Sequence, residues 1–117
     1  YHDWAIHLQK LLELQLKTGG LTEFVPLSFV AEEAPIYKRG LSRSGPTLRE
    51  SILMHAVSRL VLHPHVKNIQ ASWVKMGLEG VNLCLHAGAN DVCGILMYES
   101  ITRAAGVAHG QEMTPHA

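Results

Sequence analysis

Polar residues occupy every second position of one β-type run near the middle of the sequence. Asn68, Gln70 and Ser72 share one face of an extended chain, whereas Ile69 and Ala71 share the opposite face. A parallel strand covered on both faces is almost uniformly apolar, and each unpaired buried polar group costs roughly 1–3 kcal/mol. The polar face therefore needs partners, which are either a polar ligand or the neighbouring strands and water.

The same polar pattern recurs on the neighbouring β-type runs. Asn90 and Asp91 open an apolar run that extends from Val92 to Met97, and Glu23 lies in an earlier run. Parallel α/β folds carry their chemistry where strands meet loops, so we predict that these polar side chains point into one lumen. The candidate residues for binding a polar substrate or cofactor are Glu23, Gln70, Ser72, Lys75, Asn90 and Asp91.

Motifs for metal or nucleophile chemistry do not occur in the sequence. The eight histidines include His63 and His65, two positions apart, but this pair lies between a predicted helix end and a strand start, on the stabilising side of an α/β barrel. There is no HExxH or CxxC spacing, no GxSxG elbow, no GxGxxG and no phosphate-binding P-loop. We therefore predict no metal site and assign no catalytic residue.

The elements that position the polar residues alternate between helical and β-type patterns. A first helix with Asp3 as its candidate cap ends at Gly19-Gly20, and the β-type run 21–30 contains Pro26, where the strand should end or bend. Residues 31–45 form a loop of a length typical of lids and binding loops. The predicted apolar face of the first helix consists of Trp4, Leu8, Leu11 and Leu12.

A capping box, Thr47 to Glu50, predicts the start of the next helix, which Pro64 ends. Residues 66–76 are predicted as a second strand, 77–86 as a short helix, and 101–106 as a last helix that ends at Gly106. The order αβαβαβα predicts one parallel sheet. The residues predicted to be buried in the two middle helices are Leu53, Val57, Leu60 and Val61, and Val81, Cys84 and Leu85.

Composition limits the possible partners and environment. The chain has 117 residues, a formal net charge of zero and no apolar run long enough to span a bilayer, so we expect one small domain that binds neither nucleic acid nor membrane. Its two cysteines suggest no disulfide framework and favour a reducing, cytoplasmic environment. Because the sequence lacks an initiator Met, we expect it to be a segment of a longer protein.

Four stretches together resemble one enzyme family. They are residues 18–27, 54–57, 68–77 and 88–110, which read TGGLTEFVPL, MHAV, NIQASWVKMG and GANDVCGILMYESITRAAGVAHG. These stretches are similar to the tyrosine-using subunit of FO synthase, which is a radical S-adenosylmethionine (radical SAM) enzyme. In some organisms this subunit is the C-terminal half of a fused protein. The resemblance covers essentially the whole chain.

The resemblance implies a radical SAM (β/α) TIM-type barrel, of which residues 1–117 would be the second half, truncated at both ends. It implies a 4Fe-4S cluster and S-adenosyl-L-methionine as cofactors, and L-tyrosine and 5-amino-6-(D-ribitylamino)uracil as substrates. The 4-hydroxybenzyl group of tyrosine is joined to the uracil in the pathway to FO and coenzyme F-420. A second FO synthase subunit, fused or separate, is the implied partner. The cluster motif CxxxCxxC is absent from this sequence, so its cysteines are expected outside the chain, and these residues alone are expected to be inactive.

The resemblance also suggests roles for basic residues and marks departures from the family. Lys75, with Arg39 and Arg43 from the long loop, would meet the carboxylate of tyrosine or S-adenosylmethionine. The family usually has Gly-Gly-Thr at positions 93–95 and an acidic or amide residue at position 98, where this chain has Cys93, Ile95 and Tyr98. We expect Cys93 to be a buried spectator thiol, because cluster ligation needs several converging thiolates.

Two alternatives remain open on the sequence. The first is a menaquinone-pathway radical SAM enzyme acting on futalosine derivatives, which shares the barrel; the SWVK run at 72–75 and the RAAG run at 103–106 favour FO synthase over it. The second is a non-catalytic half-barrel remnant, which the departures at positions 93, 95 and 98 would support.

Overall fold

Three short parallel strands form one sheet in the order β1-β2-β3, with β1 at Glu23–Phe24, β2 at Asn68–Ala71 and β3 at Asp91–Val92. The computed structural model describes residues 1–94 and 100–106. The predicted parallel α/β arrangement is confirmed within these residues. The helices are α1 (His2–Thr18), α2 (Pro35–Lys38), α3 (Leu48–Leu62), α4 (Trp73–Ala87) and α5 (Ile101–Ala104).

One face of the sheet packs against the helices. Ile69 and Ala71 on β2 are fully buried, whereas Asn68 is exposed and Gln70 half-buried, so the two faces alternate as predicted. Ile69 packs with residues of α1 and α3, and Ala71 packs with residues of α4. The buried residues of these two clusters are Leu8, Leu62, Val66 and Ile69, and Ala71, Trp73, Val74, Val81, Cys84 and Ala89.

The buried face of α3 differs from the prediction. Leu53, Val57 and Leu60 are exposed, Leu60 by 80%. The helix instead buries Ser51, His55, Ser58 and Leu62, while Val61 is partly buried.

Polar residues can lie on this face because they bond within the protein. Ser58 Oγ donates to Met54 O at 2.6 Å, His55 Nδ1 lies 2.7 Å from Ser51 O, and Ser51 Oγ pairs with Ser28 Oγ at 3.1 Å. Backbone carbonyls one turn earlier thus pair with Ser58 Oγ and with His55 Nδ1, a local pattern that hydrophobic periodicity does not detect.

The second strand is shorter than predicted. It ends at Ala71, and α4 begins at Trp73, so residues 73–76 are helical rather than extended. Gly77 interrupts this helix with φ 68° and ψ 177°, close to the point where the sequence predicts a helix to begin. Lys75 therefore lies on a helical turn beyond the strand.

The first β-type run and the loop after it also differ from the prediction. Only Glu23–Phe24 of residues 21–30 pairs as a strand, and the chain leaves the sheet before Pro26, which cannot donate a ladder hydrogen bond. The predicted loop at 31–45 contains the short helix α2.

Several predicted helix ends are confirmed. Gly19 caps α1 in the left-handed conformation with φ 61°, and Gly88 follows α4 with φ 129°. Helix α5 ends before Gly106, which has φ 107°. The prediction for Asp3 was wrong, because Tyr1 is the N-cap of α1 and Asp3 lies in its first turn.

The predictions for α4 are partly confirmed, and some predictions for the C-terminal part fall outside the described residues. Leu85 of α4 is 39% exposed rather than buried, whereas Val81 and Cys84 are buried as predicted. Three predicted features lie outside the described residues. They are the predicted strand residues 95–97, the departures from the family at Ile95 and Tyr98, and the segment after Gly106. Over residues 1–94 and 100–106, no helix is both long enough and apolar enough to cross a membrane.

The predicted capping box at the start of α3 is confirmed and extends into an ion pair. Glu50 N donates to Thr47 Oγ1 at 3.2 Å, and Thr47 N donates to Glu50 Oε2 at 2.7 Å. Arg43 from the long loop donates to both carboxylate oxygens, at 3.2 and 2.8 Å. The hydrogen bond from Arg43 and that from Thr47 hold the pKa of Glu50 below its usual range.

This pKa shift predicts a pH-dependent contribution to stability. Because the folded-state pKa of Glu50 is lowered, its stabilisation is present above the unfolded pKa of about 4.3 and is lost as the pH falls through the folded pKa. In urea titrations of the full-length protein, Glu50→Gln should be less stable than wild type at neutral pH, and the difference should shrink in acid. Glu79→Gln, at an exposed carboxylate of α4, is the control. An E50Q deficit that stays constant from neutral to acid pH would contradict the assignment.

Candidate functional site

Three predicted site residues form a polar row across the sheet, defined here as Glu23, Gln70 and Asp91. The parallel register pairs Gln70 with Asp91, and Glu23 with Asn68. Gln70 Nε2 donates to Glu23 Oε2 and to Asp91 Oδ2, the latter at 2.9 Å. One amide group on the central strand thus bridges carboxylates on both neighbouring strands.

The polar row is rich in hydrogen-bond acceptors. The Gln70 side-chain NH2 group donates to the carboxylates on both sides of it. The same amide also carries a carbonyl oxygen, which is a further acceptor. Asp91 Oδ1 also accepts from Val92 N at 2.8 Å, which fixes that carboxylate over its own strand. Carboxylates held in this way suit ligands that present ammonium, hydroxyl or ring N–H groups. Glu23 and Asp91 are exposed, and Gln70 is half-buried, so the row lies on the face opposite the helices.

Asn90 does not join the polar row, so the expectation that it points with Asp91 was wrong. Its Oδ1 accepts from Ile69 N at 2.8 Å and from Arg59 Nη2 at 2.8 Å. Successive residues of an extended chain point to opposite faces, so Asn90 and Asp91 do not share one face. The structure gives Asn90 the role of joining β3 to β2.

Arg59 was not identified from the sequence, although it contacts the start of two strands. Its Nε donates to Gly88 O and its Nη1 to Lys67 O, both at 2.8 Å, in addition to the bond with Asn90. Its position in the last turn of a helix that leads into a strand is the sequence feature that could have indicated this role. The five donors of a guanidinium fit such a set of converging carbonyls.

Ser72 and Lys75 lie beyond the C-terminal end of β2. Ser72 is 2% exposed at the N-cap of α4, where its carbonyl accepts from Lys75 N at 3.2 Å and Met76 N at 3.0 Å. Lys75 borders a cavity of about 320 Å³ that is also lined by Ser28 and Leu48. The structure thus places both residues near the sheet's C-terminal edge, after the last residue of β2.

The two loop arginines have different surroundings. Arg43 forms the ion pair with Glu50 described above, and this pairing raises the pKa of its guanidinium. Arg39 is exposed at the C-terminal end of α2. The paired Arg43 would have to exchange Glu50 for a ligand carboxylate before it could take the predicted role.

The two cysteines are free and occupy different environments. Cys84 is buried in α4, where burial raises the pKa of its thiol and keeps it protonated. Cys93 follows β3 and is half-buried, which makes it more accessible than predicted. Within residues 1–94 and 100–106, no group of three or more His, Cys, Asp or Glu side chains could hold a metal ion.

These features define the class of the protein: a parallel α/β chain with helices on one sheet face and an acceptor-rich polar row on the other. A family model described as the CofH/MqnC C-terminal region matches residues 18–115. The chain therefore belongs to the CofH/MqnC C-terminal family.

Curated relatives share about half of their aligned residues with the chain. The 5-amino-6-(D-ribitylamino)uracil–L-tyrosine 4-hydroxyphenyl transferase of Methanopyrus kandleri is 51% identical over 113 residues, covering 97% of this chain and 31% of the relative. The transferase of the same description from Methanocaldococcus jannaschii is 50% identical over 114 residues, covering 97% and 32%. FO synthase of Streptomyces coelicolor is 51% identical over 107 residues, covering 92% and 12%.

The resemblance to the tyrosine-using part of FO synthase is thereby confirmed. The chain spans about a third of the two transferases and about an eighth of the Streptomyces enzyme. No solved structure matches the chain.

The position of Asn90 predicts a structural rather than a ligand-binding defect on substitution. Ile69 is fully buried, and its N–H loses its acceptor in Asn90→Ala, which should lower the free energy of unfolding by about 1–3 kcal/mol. Urea denaturation of the full-length protein measures the loss. Asn82→Ala, at an exposed position of α4, should have little effect. Equal stability of the two variants would refute the assigned role.

Proposed function

We propose that this chain forms part of the substrate-side wall of a radical SAM transferase. The reaction joins the 4-hydroxybenzyl group of L-tyrosine to 5-amino-6-(D-ribitylamino)uracil in FO and coenzyme F-420 biosynthesis. Family membership and the identity of about 50% to two transferases of that description support the reaction class. The observation that carries the proposal is the polar row, because it provides fixed acceptors on a sheet face that the described helices do not cover.

The proposed role of the polar row is to bind the donor groups of the substrates. Tyrosine carries an ammonium group, and the ribitylaminouracil carries hydroxyls and N–H groups. Glu23 and Asp91 can accept from these groups while Gln70 keeps both carboxylates in place. The row thus fixes substrate orientation, and it requires no proton transfer by these side chains.

The parent enzyme is proposed to use a 4Fe-4S cluster and S-adenosyl-L-methionine, which supply radical chemistry when bound. The residues of this chain do not fit the cluster, because the sequence contains only Cys84 and Cys93 and the thiol of Cys84 is buried. A 4Fe-4S cluster takes its ligands mainly from several cysteine thiolates. The cluster ligands are therefore proposed to come from another part of the protein, and these 117 residues alone to be inactive.

The remaining proposals concern the larger assembly. The three parallel strands with outer helices are proposed to be a segment of the second half of a (β/α) TIM-type barrel. The polar row would then face the barrel lumen. A second FO synthase subunit, fused or separate, is the proposed partner, and the cytoplasm is the proposed location.

A second candidate is the menaquinone-pathway enzyme type that acts on futalosine derivatives. The observation that favours it is the matching family description, which names MqnC beside CofH. The two candidates are separated by incubating the reconstituted full-length protein with either substrate set. Tyrosine consumption without futalosine turnover supports the transferase, and the reverse result supports the second candidate.

The polar row predicts a substrate-binding defect in Gln70→Leu. This variant removes the donor between two carboxylates, so their fixed orientation and the bridge across the strands are lost. We expect KM for at least one substrate to rise about tenfold, equivalent to about 1.4 kcal/mol of binding free energy, with an unchanged iron content. Steady-state kinetics of FO formation measures the effect. Gln9→Leu, at an exposed position of α1, should behave as wild type. A Q70L enzyme with wild-type KM values for both substrates would contradict the proposed role.

The cysteine environments predict that neither thiol holds the cluster. Cys93→Gly and Cys84→Ala in the full-length protein should retain the wild-type ratio of iron to protein after anaerobic reconstitution. The reason is that, in the described residues, neither thiol belongs to a group of three or more His, Cys, Asp or Glu side chains that could hold a metal ion. Iron analysis and the visible absorption of the cluster provide the readout. Loss of iron from C93G in a protein that remains folded would overturn this prediction.

A further inference from the structure

A cavity of about 430 Å³ lies on the helix side of β1, away from the polar row. It is bounded by the start of α1, by residues 25–29 after β1, by part of the long loop and by the first half of α3. Trp4, Phe24, Phe29 and Met54 provide much of its apolar wall. Its volume falls within the range of about 300–1,000 Å³ that is typical of small-molecule sites.

Two side chains that line this cavity carry polar atoms without a partner. Ser42 Oγ and His55 Nε2 are buried, and neither has a hydrogen bond to any described part of the protein. Leaving a buried donor or acceptor unpaired costs about 1–3 kcal/mol, so two such atoms at one cavity require an explanation.

The hydrogen bonds of His55 define which kind of group its free nitrogen needs. Nδ1 lies 2.7 Å from Ser51 O, and a carbonyl oxygen can only accept, so Nδ1 carries the proton. In the neutral ring Nε2 is then an acceptor with a free lone pair. A ligand that satisfies it must donate a hydrogen bond from a hydroxyl or N–H group.

The guanidinium that lines the cavity is already paired within the protein. Arg43 reaches the wall, but its guanidinium is paired with both oxygens of Glu50. A charged ligand would have to compete with this pair, whereas a neutral aromatic ring can pack against Trp4, Phe24 and Phe29 without disturbing it.

We propose that this cavity is a second binding site, which takes a small neutral aromatic compound bearing a hydroxyl or N–H donor. The donor bonds to His55 Nε2, Ser42 Oγ provides a further polar contact, and the ring packs against the aromatic wall. The site is separate from the polar row because Phe24 faces the cavity while Glu23, the preceding residue of β1, takes part in the row. This inference goes beyond the proposed transferase activity.

The experiment uses phenol as the probe and the full-length protein labelled with ¹⁵N-histidine. The ring nitrogen signals of His55 are followed by NMR during titration with phenol, toluene and anisole. Toluene lacks a polar group, and anisole has an acceptor but no donor. We expect a saturable shift of His55 Nε2 with phenol, and binding of toluene and anisole that is weaker by about tenfold or more.

Variants separate this site from other binding sites. Ser42→Ala should weaken phenol binding about fivefold, because it removes one polar contact and keeps His55 as the reporter. Ser44→Ala is the matched control, since Ser44 is exposed and lines the other cavity. Gln70→Leu should bind phenol as wild type does. The proposal is overturned if phenol gives no saturable shift at His55, if toluene binds as tightly, or if S42A binds phenol as tightly as wild type.

Discussion

Side-chain hydrogen bonds at the starts of the strands hold this sheet in register. The strands are two to four residues long, so their own ladders supply few bonds. Gln15 of α1 donates to Leu21 O at 2.9 Å and to His65 O at 2.8 Å, and accepts from Leu21 N at 2.8 Å. Arg59 and Asn90 connect the starts of β2 and β3 in the same way. Because a shift of one residue would turn every side chain to the other face, these contacts determine which residues face the helices and which form the polar row.

The polar row is a direct consequence of this register. Gln70 lies opposite Asp91 of β3, and Glu23 lies on β1 at the other side of β2, so one amide can reach two carboxylates. The contacts that fix the strands lie at their N-terminal ends, whereas Ser72 and Lys75 follow the C-terminal end of β2. In α/β barrel enzymes the chemistry lies at the C-terminal end of the strands, which is the end that Ser72 and Lys75 follow. Under the proposed function, that chemistry would be that of a tyrosine-using transferase.

Much of this organisation could be predicted from the sequence, and the failures have physical causes. Period-two alternation on β2 identified Gln70, and the capping box identified the start of α3, because both signals are local. The buried face of α3 was mispredicted because His55 and Ser58 bond to backbone carbonyls of their own helix, which makes their burial possible without apolar side chains. Asn90 was assigned to the site because, in a sequence, a polar residue at a strand start that binds a ligand looks the same as one that bonds within the protein. The three-dimensional contacts of Asn90 with Arg59 and with the backbone of Ile69 distinguish these cases.

The most direct test of this account is a crystal structure of the full-length protein with L-tyrosine and 5-amino-6-(D-ribitylamino)uracil bound. We expect an ammonium, hydroxyl or ring N–H group of at least one substrate to lie within about 3.2 Å of a carboxylate oxygen of Glu23 or Asp91, with Gln70 still bridging the two. Substrates bound in the same crystal with the polar row contacting neither of them would contradict it.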